Sequence, residues 1–292
     1  RRPPPPRSPA KRKKARGGET MGHMELEFAR GPESLYSFQH GYASAASPVT
    51  PHGNFLKGAR WSPDGACLAT SSDDNLVRIY DLPQDALDCA AQEGGGGEAQ
   101  PPGQDSFDAA LTVHAGETCY DFAWYPGMVA TDAASCCFST SARAHPIHLW
   151  DACTGALRCT YRAYDAADEI TAAYSLAFSP DAATLWAGYN KTLRVFNVNR
   201  PGREYKEVPT LHKKRQEGQG GIISCIGFSP GEAAATLVAA GSYGRTVGIY
   251  DPATFEQLYV LHGQKGGVTQ VQFSPDGNFL YVGARKDPEI LC

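Results

Sequence analysis

Four stretches of the chain share one alternation. NLVRIYD (75–81), PIHLWD (146–151), TLRVFNV (192–198) and TVGIYD (246–251) alternate apolar and polar positions. Each then reaches an aromatic followed by Asp, or by Asn in the third. A period of two over so few residues predicts short strands. Ahead of each stretch, and once more near the end, stands a second recurring piece: WSPDG (61–65), WYPG (124–127), FSPDA (178–182), FSPGE (228–232) and FSPDG (273–277). Their spacings are 63, 54, 50 and 45 residues. Pro presets φ and a following Gly supplies positive φ, so these pieces predict tight turns. Each unit reads strand, turn, strand, small-residue turn, strand ending in an aromatic, then a fourth and variable strand. A period of this size marks a repeat architecture. That order of elements is the blade of a WD-repeat β-propeller, so the expected fold class is all-β.

The last unit runs GARKDPEILC and stops where its aromatic-Asp pair is due, and position 1 is not Met. The expectation is a propeller truncated on its C-terminal side, with about five blades present of an expected ring of about seven. Residues 1–25 are expected to be a disordered basic, Pro-rich tail, and residues 26–292 the partial propeller. Within it QDALDCAAQEGGGGEAQPPGQDSF (84–107) reads as a low-complexity loop inserted after the third strand of the first blade.

Charge sharpens this division. The first twenty residues carry +7 and the remainder −11, for a total of −4. A basic, Pro-rich segment cannot bury a core. Its KRKK (11–14) reads as a nuclear address, a nucleic-acid patch or a plain solvated tail. An apolar content of 42% is ordinary for a globular chain. No run of 18 apolar residues or signal peptide is visible, so no membrane partner is expected. Of the nine cysteines none forms a CxxC pair, and Cys67, Cys119 and Cys225 sit in apolar strand contexts. They read as reduced, packed thiols of a cytosolic or nuclear protein.

Antiparallel strands place the turn between second and third strands on the same face as the link to the next blade. WD repeats usually carry a blade-bonding aspartate six residues before the closing aromatic. Here that place holds Asp74, Ala144, Asn190, Gly244 and, in the last unit, Asp287. The polar network is thus expected to be largely lost from the middle blades. Cations and tyrosines stand beside these positions: Arg143 with His145, Tyr189 with Lys191, Tyr243 with Arg245, and Arg285 with Lys286. The links add Lys213, Lys214 and Arg215, then His262 and Lys265. Cations meet phosphates and aromatic faces stack on splayed bases, so the eleven Arg, Lys and Tyr residues form a candidate RNA-binding set. The alternative is that these turns are polar only for solubility. The −11 body excludes general nucleic-acid binding and leaves only a local site.

Enzyme chemistry finds no support in the sequence. AGSYG (240–244) misses the nucleophile-elbow spacing, and GQGGII (218–223) enters a strand rather than a helix. His145 and His148 straddle a turn that Pro146 fixes, and Cys136 and Cys137 point to opposite faces of a strand, so neither pair reads as metal ligands. No cofactor, metal or catalytic residue is expected.

Several stretches are more specific than a generic WD repeat. GNFLKGARWSPDG (53–65), PIHLWDACTGALRCTYRAYDAADEITAAYSLAFSPD (146–181), RPGRE (200–204) and GQGGIISCIGFSP (218–230) resemble the telomerase Cajal body WD-repeat protein family. The resemblance runs from about residue 53 to 292, apart from the 84–107 insertion. It implies a nuclear scaffold that recognises the CAB box of small Cajal-body RNAs and telomerase RNA. Such a scaffold delivers those ribonucleoproteins to Cajal bodies and telomerase onward to telomeres. Further protein partners would use the propeller faces. The competing reading is a WD-repeat protein scaffold without RNA, such as a ubiquitin-ligase substrate receptor or a chromatin-peptide reader.

Overall fold

The structure is a computed structural model that describes residues 53–82, 108–212, 217–231 and 236–292. The 1–25 tail and the 84–107 insertion read from the sequence lie outside the described residues. So do Lys213, Lys214 and Arg215.

The described residues form strands and no helix. The first sheet contains β1 (Leu56–Trp61), β2 (Cys67–Ser72), β3 (Leu76–Asp81) and β4 (Leu111–His114). The second contains β5 (Cys119–Trp124), β6 (Cys137–Ala142), β7 (Ile147–Asp151) and β8 (Leu157–Tyr161). The third contains β9 (Ser175–Phe178), β10 (Thr184–Gly188), β11 (Thr192–Asn197) and β12 (Tyr205–Pro209). A small hairpin, β13 (Leu211–His212) and β14 (Glu217–Gly218), lies in the next link. The fourth sheet contains β15 (Ile223–Phe228), β16 (Val238–Ser242), β17 (Thr246–Tyr250) and β18 (Gln257–Leu261). Finally β19 (Val268–Phe273) pairs with β20 (Leu280–Ala284). Every ladder is antiparallel and strands follow chain order, so the sheets are the blades of a β-propeller.

The turn pieces work as their composition predicts. Ser62, Ser179 and Ser274 each donate a hydroxyl proton to the Asp two residues on, at 2.7, 2.5 and 2.5 Å. Each also accepts the amide five residues on, at 2.9, 2.9 and 3.0 Å. Positive φ falls where Gly was expected, at Gly65 (74°) and Gly277 (71°), and Ala182 adopts it at 59°.

Four apolar clusters fill the spaces within and between blades. Second and third strands are covered on both faces. The second strands CLATSS, CFSTSA, TLWAG and VAAGS are therefore rich in Ala, Ser and Gly and almost wholly buried. First strands tie one blade to its neighbour. Trp124 donates its indole proton to the Arg60 carbonyl at 3.0 Å, and Ser175 its hydroxyl proton to the Ile223 carbonyl at 2.9 Å. Ser224 reaches the Val268 carbonyl at 2.5 Å, and Ser141 the Ala173 carbonyl.

The expectation that the middle blades lose their polar network is corrected in two of them. In the first blade Asp74 is held as expected, accepting from Asn54, Ser72 and Arg78 at 2.8, 2.5 and 2.5 Å. Burial alone would raise its carboxyl, but Arg78 and Ser72 hold it below the usual range. In the second blade Trp150 donates to Thr140 at 2.8 Å. In the fourth, a residue from the preceding link replaces the missing acid. Gln219, fully buried, donates to the Ala240 and Thr246 carbonyls at 2.6 and 3.0 Å and accepts from Tyr250 at 3.0 Å. Sequence alignment on the aromatic could not find it, because it lies 31 residues before Tyr250.

Two outcomes follow. Gln219→Ala removes one buried acceptor and two donations, so unfolding in urea should show a loss of about 2–3 kcal/mol. Asp151 gives a pH signature. Burial alone would raise its carboxyl, but Arg158, at 2.8 Å, and the turn amides of Cys153 and Thr154 outweigh it and hold it at about 2. A depressed carboxyl stabilises the fold above its unfolded value of about 3.9, and that stability fades as pH falls toward the folded value. Thermal melts of the natural chain and of Asp151→Asn should therefore differ at pH 5 and converge toward pH 2.

Candidate nucleic-acid interface

Backbone hydrogen bonds fix where the hairpin turns lie. Asp73 donates to the Phe55 carbonyl at 3.0 Å, Arg143 to Thr118 at 2.9 Å, Tyr243 to Ile222 at 2.9 Å and Arg285 to Gly267 at 2.9 Å. Each bond joins the turn after a second strand to the segment entering the first strand of the same blade. Turns and entry segments therefore share one face. The close fit needs glycine. A Cβ on Gly244 would stand 2.3 Å from the Gly220 carbonyl oxygen, and one on Gly266 would stand 1.8 Å from that of Arg285.

One residue of each turn is left-handed: Asn75 (66°), Ala144 (56°), Lys191 (60°), Arg245 (64°) and Lys286 (61°). The strain falls on Arg245, and Gly244, its neighbour, is required for close approach instead. A left-handed non-glycine residue costs on the order of 1 kcal/mol. In three consecutive blades that position holds a cation where Gly or Asn would fit at lower cost. All three side chains are exposed, and no carboxylate among the described residues pairs with them.

The aromatic partner sits between two of these blades. Tyr243 is 41% exposed, and the Arg285 guanidinium lies 4.6 Å from its ring centroid while donating to its hydroxyl at 3.3 Å. Tyr243, Arg245, Arg285 and Lys286 therefore form one group on adjacent turns, with Lys191 on the turn of the preceding blade. Lys265 is tied to the buried carboxylate of Asp287 at 3.2 Å. Arg143 is exposed on the second blade with Glu117 at 3.9 Å, and His145 bonds the Arg143 carbonyl oxygen at 2.7 Å. His262 is exposed on its link.

Tyr189 is the correction in this set. It is 2% exposed and does not present its ring on the face. Its carbonyl accepts the Ile223 amide at 2.9 Å, and its ring stacks at 4.6 Å on the Arg194 guanidinium, itself 4.9 Å from Tyr205. Backbone bonding to the next blade turns this residue inward, which the alternation of a short strand does not reveal.

One feature of the face was missed. Tyr120 of β5 and Tyr174 just before β9 meet at 5.2 Å between centroids, and Tyr120 is 39% exposed. Both stand at the entry ends of first strands, since Tyr174 donates to the Gly188 carbonyl at 2.8 Å and Thr118 accepts from the Arg143 turn. An aromatic inside a strand reads as core from sequence, and only the blade-to-blade packing brings this pair together at the turn face.

Among the described residues no group of His, Cys, Asp and Glu is arranged to hold a metal ion. The blades and their shared turn face define a WD-repeat propeller protein, and the family model for the WD domain, G-beta repeat, matches residues 46–81 and 255–287. The chain is 46% identical over 239 residues to Telomerase Cajal body protein 1 of Mus musculus and 45% identical over 239 residues to that of Homo sapiens. It is 33% identical over 245 residues to the Telomerase Cajal body protein 1 homolog of Drosophila melanogaster. Each alignment covers 82% of this chain and 41–42% of the relative, so the chain spans about two fifths of the length of these relatives. Over its aligned part the chain belongs to the telomerase Cajal body family of WD-repeat proteins.

The glycine at 266 offers a direct check on the face. Gly266→Ala should push the Arg285 turn away and break its stack on Tyr243, at a stability cost of about 1–3 kcal/mol from overpacking. Urea unfolding measures the cost, and a rise in Tyr243 accessibility to nitration reports the displaced guanidinium.

Proposed function

We propose that this propeller is an RNA-binding scaffold. It recognises the CAB box of small Cajal-body RNAs and of telomerase RNA, and brings those ribonucleoproteins to Cajal bodies in the nucleus and telomerase to telomeres. The relatives' names support a role tied to telomerase and Cajal bodies. The observation that carries the RNA reading is the row of exposed cations at one strained turn position, Lys191, Arg245 and Lys286, with no carboxylate partner among the described residues, beside the Tyr243–Arg285 stack. Phosphates spaced along a single strand suit a row of exposed cations, and an unpaired base suits an exposed tyrosine ring. Arg143 and Lys265, each with an acidic partner, flank the row, and Lys213, Lys214 and Arg215, outside the described residues, complete the candidate set. The acidic remainder of the chain confines binding to this face and disfavours duplexes that would lie across the whole surface.

The test separates phosphate from base contacts. Replacing Lys191 and Arg245 together by Ala should flatten the log–log salt dependence of CAB-box hairpin binding by roughly 0.7 per lost contact. Tyr243→Ala should weaken binding by roughly 1–3 kcal/mol with little change in slope. Unchanged affinity and slope in the double variant would place the RNA elsewhere. In cells, a crosslinked partner set that survives ribonuclease would instead favour a protein scaffold without RNA.

A further inference from the structure

On the face opposite the cationic turns, two thiols meet. Cys136 stands one residue before β6, and the turn after β7 folds across it, with the Ala152 amide donating to the Cys136 carbonyl at 2.9 Å. Asp151 pins that turn by accepting the Cys153 and Thr154 amides at 2.9 and 2.8 Å. The result places Cys153 next to the residue bonded to Cys136, with both cysteines in the wall of one cavity. Cys136 is 2% exposed, its sulfur 3.4 Å from the Val129 and Asp132 carbonyl oxygens, whereas Cys153 is exposed. Both line a cavity of about 490 Å³ between the first two blades, with Cys67, Trp124 and Met128 in its wall.

We propose that Cys136 and Cys153 form a modification site, a dithiol that a peroxide oxidises to a disulfide. The exposed Cys153 thiolate attacks one peroxide oxygen, the O–O bond breaks, and Cys153 becomes a sulfenic acid as the other oxygen leaves as hydroxide. The Cys136 sulfur then attacks the Cys153 sulfur, the S–O bond breaks, and the hydroxyl leaves with the Cys136 proton as water. Overall two thiols are oxidised to one disulfide and the peroxide is reduced to two waters.

Geometry selects this pair. Cys137, next in sequence, packs on the other side of the strand with Ile147, Leu149 and Phe178. Cys67 lines the same cavity, but its thiol donates to Asp81 at 3.3 Å and burial pushes it up to about 12. Cys119 is likewise pushed to about 12 by burial and packs in the first cluster. Among the described thiols of the cavity only Cys153 is exposed to an oxidant, and Cys136 is the thiol positioned to resolve it.

The test treats the folded full chain with one equivalent of hydrogen peroxide, alkylates the remaining thiols, and maps disulfides by peptide mass spectrometry. The expected product joins the Cys136 and Cys153 peptides with the loss of two hydrogens and is reversed by dithiothreitol. It should persist in Cys137→Ser and vanish in Cys153→Ser, where Cys136 stays open to alkylation after unfolding. Because Cys153 lies on an exposed turn, that variant keeps the test valid even where Cys136→Ser fails to fold. Trapping Cys153 as an unlinked sulfenic or sulfinic acid, or linking it to another cysteine, would overturn the proposal.

Discussion

How closely one blade can lie against the next governs the rest of this structure. At Gly188 a Cβ would stand 2.2 Å from the Ser175 hydroxyl and 2.7 Å from the Ile223 carbonyl oxygen. At Gly241 it would meet the Cys225 sulfur and a Val268 methyl, each at 2.5 Å. Both glycines sit near the ends of second strands, where the neighbouring first strand packs. The glycines at these ends of the second strands follow from this contact, because a larger side chain there would force the blades apart and open voids in the clusters. So do the serine bonds from one blade to the next, which satisfy buried hydroxyls and carbonyls that no water could reach.

Close blade packing also sorts the charges. The hairpin turns on one face are pulled against the entry segments by backbone bonds, leaving their side chains outward. The other face carries Asp64, Asp151, Asp181, Asp251 and Asp276. Each carboxyl is held below its usual range by turn amides or hydroxyls, with Arg158 added at Asp151, and the burial that opposes this is outweighed. The turns bond the charged form of these acids, which favours ionisation further into the acid range than an ordinary aspartate allows. These five acids are thus structural and lie away from Lys191, Arg245 and Lys286. A chain that is acidic as a whole can therefore present a cationic strip on one side. Coulomb repulsion between an approaching polyanion and the acids of the opposite face is largely screened beyond about 8 Å at physiological ionic strength.

The polar networks show a similar division of labour. Asp74 ties the first blade in the manner its sequence position suggests. The fourth blade reaches the same end with Gln219, an uncharged group supplied from the preceding link. An amide both donates and accepts, so it can satisfy two carbonyls and a tyrosine hydroxyl without burying a charge. That substitution removes the acid from the Tyr243–Arg245 turn, where no carboxylate among the described residues pairs with the cation.

The repeat of aromatic-Pro turns and closing aromatics determined the all-β class, the blade order and the identity of most turn residues. These depend on local rules, namely strand alternation, proline's fixed φ and glycine's freedom, which act within a few residues. The exposed cations at 191, 245 and 286 were legible for the same reason, since each lies in a hairpin whose ends are set by its own strands. What a side chain meets across the gap between blades was not legible. Tyr189 turns inward because its carbonyl bonds Ile223, and the Tyr120–Tyr174 pair, Gln219's reach to Tyr250 and the meeting of Cys136 with Cys153 all join residues from separate strands or blades. Such contacts are decided by the packing distance between sheets and the register of their ladders, and no periodicity along a single strand encodes either.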